Sequence, residues 1–343
     1  MATNHIHLAR FSVLLRRAFL FIQKERMNMK SWKLAITAAV ATSALVACSD
    51  NEETTNEVTN ETETDGAYPL TVTDASGTEI TIEKEPERII SMIPSNTEIL
   101  FELGLGDEVI AVTDIDDYPA EAAEKEKIGA MEFDFEKIIS LSPDVVFSHE
   151  SAMGVSEAGI EQLRAADIDV FVVEDAKNFE HTYETIYDIA EITNTTEQAD
   201  TIVADMKEQV ADIQEKLADV EPKRVFIENS DAPEIYTAGS NTFTDEMLQM
   251  IKAENVAATQ EGWYPISSEE IITQNPDVIL VSYSYVPDIL TTLPLRPGFD
   301  TIAAVKNNAV YQIDEDTTSR QAPRLAEGLL EMATAIHPEA FSE

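Results

Sequence analysis

Two glutamates occupy the same place in a segment that the chain contains twice. Residues 135–147 return as residues 268–280, with Glu, Ile, Ile, Pro, Asp and Val at identical positions. Each copy places its glutamate, Glu136 or Glu269, at the start of a short predicted helix that precedes a proline and an all-apolar strand. An exposed carboxylate there can pair with a cation of a partner, although an ordinary solvated glutamate gives the same pattern. The repeat predicts two related α/β halves.

The cysteine Cys48 ends a sequence that is typical of bacterial export signals. Residues 29–33 form a short basic segment, and residues 34–47 are uncharged, apolar and small. Leu45-Val46-Ala47-Cys48 matches the lipobox, whose cysteine carries lipid such as palmitate. The apolar stretch is short for a transmembrane helix. Cys48 is the single cysteine of the chain, so it cannot form an internal disulfide. Lipidation explains its presence better than a leftover free thiol does. We therefore predict an exported protein that lipid anchors to the outer face of the cell membrane.

These signals divide the chain into five predicted parts. We interpret residues 1–26 as a start-site error, because a complete signal peptide follows them and translation can begin at Met27 or Met29. Residues after Cys48 are almost all Asn, Glu, Thr and Asp, and such a segment cannot bury a core. The parts are a signal peptide (1–47), a lipidated cysteine with an acidic tether (48–66), an N-terminal lobe (67–178), a helical connection (179–221) and a C-terminal lobe (222–343).

The charge of the mature chain limits its partners. From Cys48 onward, 16 Lys and Arg stand against 64 Asp and Glu, a formal charge of −48. Nucleic acid requires a basic surface, so it is excluded as a partner, and adsorption on anionic lipid is disfavoured in the same way. We interpret the acidic surface as adaptation to high salt or alkaline medium. Six arginines follow Cys48, and each is therefore noticeable.

The motifs of enzymes and metal sites are missing from the sequence. It contains no Gly-x-Ser-x-Gly elbow, no P-loop and no Gly-x-Gly-x-x-Gly after a strand. Three histidines follow the signal, His149, His181 and His337, and no cysteine remains to join them in a metal site. We predict a binding protein without a cofactor or a bare metal ion, and not an enzyme.

Strands and helices alternate in both halves, which predicts parallel sheets of Rossmann-like type. Ser95 and Glu98 have the spacing of a capping box at the start of a helix. The predicted strands are residues 89–93, 109–112, 145–147, 170–173, 225–228, 278–281 and 310–313. The predicted helices are residues 136–141, 157–166, 244–251, 269–273 and 324–336, with another that begins at 94–98.

A long amphipathic helix joins the halves. Apolar residues recur at helical spacing from Ala199 to Leu217, and Pro222 follows. About twenty residues of helix span about 30 Å, which is the size of a small domain. The predicted fold is therefore α/β, with two Rossmann-like lobes joined by one long helix and a ligand cleft between the lobes.

This organisation resembles the solute-binding lipoproteins of ABC importers for cobalamin, ferric siderophores and haem. The resemblance covers residues 84–341. It is carried by the segments Pro86-Glu87-Arg88-Ile89-Ile90-Ser91, Pro94-Ser95-Asn96-Thr97-Glu98, Asp117-Tyr118-Pro119, Leu141-Ser142-Pro143-Asp144-Val145, Trp263 through Glu269, and Ala322-Pro323-Arg324. It implies two lobes on one long helix that close by small rigid-body movements. It also implies that Glu136 and Glu269 dock on arginines of the membrane permease, whose two-fold dimer requires the same charge on both lobes.

The resemblance also implies residues of the ligand cleft. Trp263 aligns with an aromatic that touches the ligand, and Arg320 and Asp316 align with polar contacts of cobalamin binders. Tyr118, Met131, His149, Tyr236 and Tyr283 fall on or near loops that follow strands, where packing and ligand contact remain alternatives. Cobalamin binders often carry aromatics where this chain has Met131 and His149. Arg324 is predicted to lie one helical turn after Arg320, and for it a structural role is the alternative to ligand contact.

We predict a monomeric, membrane-tethered binding protein that delivers cobalamin to an ABC permease dimer. A ferric siderophore is the alternative ligand, since an anionic chelate would use the same arginine. Haem, or a surface lipoprotein without a transport role, follows as a further alternative.

Overall fold

The structure is a computed structural model, and it describes residues 67–342. The N-terminal lobe begins with a hairpin and continues with alternating strands and helices. Its elements are β1 (Leu70–Thr73), β2 (Glu79–Ile82), β3 (Ile89–Ser91), α1 (Pro94–Glu102), β4 (Val109–Val112), β5 (Glu126–Lys127), α2 (Phe135–Leu141), β6 (Val145–His149), α3 (Met153–Ala165) and β7 (Asp169–Val173). Two 3₁₀ turns cover Ala120–Glu124 and Glu150–Ala152.

The sheet of this lobe has five parallel strands in the order β5-β4-β3-β6-β7. From β3 the chain moves outward on one side to β4 and β5, and then returns to the other side for β6 and β7. The strand order therefore reverses between β3 and β6. In open α/β sheets, the carboxyl ends of the strands at such a reversal form the crevice that binds ligands.

Two helices connect the lobes. α4 (Phe179–Ile192) begins behind Asn178, whose side chain accepts a hydrogen bond from the backbone N–H of His181. α5 (Thr196–Lys216) has 21 residues and buries Ala199, Val203 and Met206 on one stripe. The predicted long helix is confirmed; it begins three residues before Ala199 and ends one residue before Leu217, the limits that the apolar spacing indicated.

The C-terminal lobe repeats the alternation. Its elements are β8 (Lys223–Glu228), β9 (Tyr236–Ala238), α6 (Phe243–Met250), β10 (Ala253–Asn255), β11 (Trp263–Pro265), α7 (Ser268–Gln274), β12 (Val278–Val281), α8 (Ile289–Thr292), α9 (Ala303–Lys306), β13 (Val310–Gln312), α10 (Glu315–Ser319), α11 (Leu325–Ile336) and α12 (Pro338–Phe341). Four parallel strands form its sheet in the order β10-β8-β12-β13, and β9 pairs with β11 in a separate antiparallel ribbon.

One hydrophobic core runs through both lobes. One face of the N-terminal sheet (Ile89, Val145) and one face of the C-terminal sheet (Val225, Val278) belong to the same cluster of buried side chains, together with the apolar residues of α4, α5 and α11. The opposite faces pack on helices of their own lobe, with Ile90 beside Ile138 and Phe226 beside Ile271. Since successive strand residues point to opposite faces, both sheets are buried on two sides.

The internal repeat is confirmed in the backbone. α2 and α7 each have seven residues, and each ends on a residue of left-handed conformation, Ser142 (φ 49°) and Asn275 (φ 48°). Asp144 accepts a hydrogen bond of 3.0 Å from the backbone N–H of Arg88, and Asp277 accepts one of 3.0 Å from Arg224.

The two arginines complete the repeated unit. Arg88 donates to the carbonyl of Leu141 at the end of α2, and Arg224 donates to that of Gln274 at the end of α7, each at 2.5 Å. Each arginine follows a proline by two residues, Pro86 and Pro222, so the repeat also includes the strand before the helix.

The predicted capping box of α1 is wrong. The helix starts at Pro94, so Ser95 lies inside its first turn, and the N-cap residue Ile93 has no side chain that could accept a hydrogen bond. Glu98 therefore does not reach back to the helix start, and its carboxylate binds arginines of the other lobe.

Several predictions concern parts of the chain outside the described residues. The signal peptide, Cys48 and the tether fall within residues 1–66, and they stay predictions. Residues 67–342 belong to one compact unit, so the predicted limits between the lobes also stay predictions. Within that part of the chain, no helix is long and apolar enough to cross a membrane.

Candidate functional site

A cavity of about 280 Å³ lies where strands of the two sheets end. Asp175 and Lys177 reach it from the loop after β7 of the N-terminal lobe. Asn229 follows β8, Ser282 follows β12 and Ile313 follows β13, all in the C-terminal lobe. The cavity therefore lies at the carboxyl ends of parallel strands, where α/β proteins bind their ligands.

Apolar side chains such as Phe243, Ile313 and Met332 and neutral hydrogen-bonding side chains together form most of the wall of this cavity. Its two charged residues, Asp175 and Lys177, form an ion pair with each other. The remaining polar residues carry amides or hydroxyls, and they include Asn241, Thr242, Thr244, Thr318, Ser319 and Gln321. Such a wall complements a ligand with many neutral donors and acceptors better than it complements a densely charged one.

Trp263 lies in the wall, as the sequence predicted for a cleft aromatic, although its contact with a ligand stays a prediction. It opens β11, whose pairing with β9 places it opposite Ala238, and 55% of its surface is exposed. Gly262 before it has a positive φ of 74°, a conformation that favours glycine. Tyr236 stands on the neighbouring strand opposite Pro265; it is 43% exposed and lies outside the cavity wall.

Arg320 and Asp316, which the resemblance implies as ligand contacts, form an ion pair with each other. Arg320 Nη2 lies 2.7 Å from Asp316 Oδ1, and its Nη1 donates to Glu98 and to Asp117, each at 2.9 Å. Burial raises the pKa of Asp316, while Arg320 opposes the rise. Three carboxylates therefore surround this guanidinium, whose chain neighbours Ser319 and Gln321 line the cavity.

Tyr118 is held by an arginine. The guanidinium of Arg324 lies 3.7 Å from the centre of its ring, in a cation–π contact. Burial, followed by the nearby Glu102, raises the pKa of the Tyr118 hydroxyl. Arg324 also binds Glu98, so its role in this structure is structural, and Tyr118 is positioned by it.

The other candidates lie away from the cavity. Met131 is 87% exposed on the loop before α2. His149 ends β6 and is 4% exposed; its Nδ1 accepts from the backbone N–H of Ser151, and burial lowers its pKa. Tyr283 is buried and donates its hydroxyl to Glu228 at 2.6 Å, which is a packing role.

A buried ion pair supports the C-terminal wall. Arg296 donates two hydrogen bonds to Glu228 (2.7 and 2.8 Å) and a third to Asp231 (2.6 Å). Glu228 is fully buried at the end of β8, between the lining residues Ile227 and Asn229. This network fixes the backbone from which Asn229 reaches the cavity.

Buried polar atoms also remain free at the end of the N-terminal sheet. Asn96 donates its amide to the carbonyl of Ser148 at 2.9 Å, which joins α1 to β6 across the point where the strand order reverses. The Asn96 Oδ1, Ser95 Oγ and Ser148 Oγ atoms are buried and find no hydrogen-bond partner among residues 67–342. They can accept or donate hydrogen bonds to water or to a ligand.

Glu136 and Glu269 are equivalent in the structure. Each is the second residue of its helix and is exposed, and neither carboxylate has a hydrogen-bond or salt-bridge partner within the described part of the chain. The caps differ in chemistry but have the same position, with Asp134 accepting from Lys137 and Ser267 from Glu270. Two free carboxylates thus stand in matching places on the two lobes.

The sequence did not single out several residues of the cleft. Asn229 and Ser282 immediately follow predicted strands, and a position directly after a strand is the sequence feature that indicates ligand contact in α/β folds. Lys177, Gln321 and Glu98 carry no such signal, because a fold must first bring their loops together. Among residues 67–342, no group of His, Cys, Asp and Glu side chains could hold a metal ion.

Comparisons with known proteins identify a common family. The profile of the periplasmic binding protein family matches residues 89–317. An uncharacterised ABC transporter substrate-binding lipoprotein of Bacillus subtilis, YvrC, is 42% identical over 279 residues, which cover 80% of this chain and 88% of that relative. A vitamin B12-binding protein of Vibrio parahaemolyticus is 29% identical over 74% of this chain and 90% of its own length.

A solved structure supports the same fold. A possible iron-binding (periplasmic solute-binding) protein of Staphylococcus epidermidis superposes with a TM-score of 0.68 at 36% identity, over 74% of this chain and all of that chain. These relatives are substrate-binding proteins of transport systems, so the expectation of a binding protein, and not an enzyme, is confirmed.

Proposed function

Because the chain belongs to the periplasmic binding protein family, we propose that it is the extracytoplasmic substrate-binding component of an ABC importer and that it captures cobalamin. The observation that carries the ligand assignment is the wall of the interlobe cavity, which combines an exposed tryptophan with amides and hydroxyls. Corrinoids present an apolar macrocycle with neutral amide side chains at its edge. An indole and a ring of neutral hydrogen-bonding groups match both features.

The charges around the cleft favour a neutral ligand. Arg320, whose chain neighbours Ser319 and Gln321 line the cavity, is already bound by Glu98, Asp117 and Asp316. The mature chain carries a formal charge of −48, so an anionic chelate would approach against a repulsive field. A neutral corrinoid avoids both costs.

A ferric siderophore is the second candidate. It is supported by the similarity to a possible iron-binding protein of Staphylococcus epidermidis. For an anionic siderophore to use Arg320, it would have to replace Asp117, whose side chain is 64% exposed and is therefore the most easily displaced of the three carboxylates. Haem, or a surface role without transport, ranks below both.

The size of the cavity implies that the lobes separate slightly when the ligand enters. A volume of about 280 Å³ lies just below the range of ligand pockets, which enclose roughly 300–1,000 Å³. A macrocycle would therefore widen the cleft, while the hydrophobic core shared by the lobes limits the movement.

Lipid at Cys48 would then hold the protein at the outer face of the membrane, and Glu136 and Glu269 would dock on the permease. Two matching, unpaired carboxylates suit a two-fold partner with arginines at equivalent places. Their role would be to set register and association rate, since exposed pairs add little affinity.

A titration with cyanocobalamin tests the ligand. The protein is the chain from residue 49, in which Trp263 is the sole tryptophan. We expect saturable quenching of its emission, corrected for ligand absorbance, with a matching Kd from isothermal calorimetry. Ferric siderophores and haem are titrated in parallel under the same conditions.

Each result assigns the ligand. Binding of cyanocobalamin with no binding of ferric siderophores supports the proposal. Binding of a ferric siderophore alone would overturn the ligand and retain the importer. Binding of none of these compounds would leave the surface-lipoprotein alternative.

A further inference from the structure

A single buried carboxylate joins the two lobes at the cleft. Glu98 lies on α1 of the N-terminal lobe, and its side chain is 1% exposed. Arg324 donates to it twice, from Nε at 3.0 Å and from Nη2 at 2.7 Å. Arg320 adds a third hydrogen bond at 2.9 Å. Both arginines belong to the C-terminal lobe, more than 220 residues away.

The contacts of these arginines with the N-terminal lobe divide into an inner and an outer set. The inner contact is Glu98, which water barely reaches. The outer contacts are Asp117 on Arg320 and the Tyr118 ring under Arg324, and both come from one loop of the N-terminal lobe. Asp117 is largely exposed, whereas the side chains of Arg320 and Arg324 are only 13% and 15% exposed.

This arrangement makes Glu98 decisive for the geometry. Arg320 ends α10 and Arg324 precedes α11, and both guanidinium groups bind the same carboxylate. Two cations held this close repel each other, and the negative charge of Glu98 between them offsets the repulsion. Without that charge, two nearly buried cations would lack their shared buried partner, which is strongly unfavourable in a protein interior. Asp316 and the exposed Asp117 would then hold Arg320 alone, and the only contacts left between these arginines and the N-terminal lobe would be the outer ones to Asp117 and Tyr118.

We propose that Glu98 is the positioning residue of the cleft. It fixes the separation of the lobes. It also fixes the position of Arg320, and with it that of the lining residues Ser319 and Gln321, so that the cavity wall is formed before the ligand arrives. A preformed wall binds its ligand more tightly, because fewer side chains and loops lose conformational freedom on binding. The effect on ligand affinity rests on the proposed function, whereas the effect on lobe separation does not.

The test measures both effects on the chain from residue 49, which lacks Cys48. Spin labels at Ala158→Cys and Asp300→Cys, both exposed, report the distance between the lobes by double electron–electron resonance. Glu98→Gln removes the charge and keeps the shape, and Glu98→Asp restores the charge. Cyanocobalamin is the ligand probe.

Asp74→Asn is the matched control. Asp74 is also a buried carboxylate bound to an arginine, Arg164 at 2.7 Å, but both residues lie within the N-terminal lobe. Its loss should lower the Tm of the protein in the same way as the loss of Glu98, without changing the distance between the lobes.

We expect Glu98→Gln to broaden the distance distribution and to raise the Kd for cyanocobalamin about tenfold, with partial recovery in Glu98→Asp. Asp74→Asn should leave the distance and the Kd at their wild-type values. The inference is overturned if Glu98→Gln keeps the wild-type distribution, or if Asp74→Asn changes it equally. If the wild type does not bind cyanocobalamin but Glu98→Gln still broadens the distribution, the ligand proposal fails and the positioning role stands.

Discussion

Glu136 and Glu269 hold the same position in the two lobes: each is the second residue of a seven-residue helix, exposed and without an ion-pair partner in residues 67–342. Between them, the chain completes the N-terminal sheet with β6 and β7, crosses α4 and α5, and begins the C-terminal sheet with β8 and β10. Matching carboxylates at such a distance in sequence suit a partner that is itself two-fold symmetric.

Charge reversal at these glutamates should impair delivery without impairing capture. We expect Glu136→Arg or Glu269→Arg to lower cyanocobalamin uptake through the cognate permease in reconstituted vesicles, and the double variant to abolish it. The Kd for cyanocobalamin should not change, because neither residue lines the cavity. Glu157→Arg, an exposed change on α3, is the control, and equal loss of uptake in that variant would contradict specific docking.

Removal of the cleft indole should weaken binding but not folding. Trp263→Ala should raise the Kd for cyanocobalamin by about tenfold to a hundredfold, in the range of buried aromatic contacts. Because the side chain is 55% exposed, the Tm should stay near that of the wild type. Calorimetry measures the Kd, since the variant has no tryptophan to follow. Leu295→Ala, another exposed apolar change, should leave the Kd unchanged, and an unchanged Kd in Trp263→Ala would remove the indole from the site.

Removal of the cation from the ion pair below the cavity should strongly destabilise the protein. Arg296→Met leaves the fully buried Glu228 without its cation, a change that typically costs about 3–5 kcal/mol. Urea unfolding measures the difference in unfolding free energy. Lys84→Met removes a surface ion pair with Asp144 and should change stability little. A similar small change in Arg296→Met would show that the buried network is not stabilising.

Two buried histidines should make the protein less stable in mild acid. Burial lowers the pKa of His149 and of His337 in the folded state below the ordinary value of about 6.5. Above that pH both residues are neutral in the folded and unfolded chains. Below it the unfolded chain takes up protons first, so unfolding becomes easier as the pH falls.

The measurement is the Tm between pH 8 and about 5.5, where most carboxylates remain charged. We expect the Tm of the double variant His149→Gln/His337→Gln, relative to that of the wild type, to increase as the pH falls through this range. His181→Gln, which changes a half-exposed histidine, is the control. The same slope in the double variant and the wild type would exclude this mechanism.

Ligand binding should change the overall dimensions little. The lobes share one hydrophobic core, and α5 packs along it as a 21-residue helix, so a large hinge rotation would expose apolar surface. Small-angle scattering with and without cyanocobalamin should give nearly equal radii of gyration. A pronounced compaction would mean that the core separates and reforms during the transport cycle.

The sequence alone was sufficient for the repeated architecture. The α/β alternation, the long helix and the repeat at 133 residues follow from apolar periodicity and from prolines, which are local properties of the chain. Tertiary contact then determined short elements such as β5, β9 and β11, because they contain only two or three residues and too little pattern to detect. The hydrogen bonds that Arg88 and Arg224 donate to the ends of α2 and α7 are also tertiary contacts, so the sequence pattern does not show them.

The sequence also determined which residue types could act at the site, and the tertiary structure decided which of them meet. The sequence predicts Trp263, Arg320 and Asp316 as cleft residues, but spacing alone assigns Glu98 to a capping box, which the structure contradicts. Its true partners are more than 220 residues away, and no local pattern can encode them. A buried carboxylate takes its role from the charges that folding brings to it, since burial without them is unfavourable.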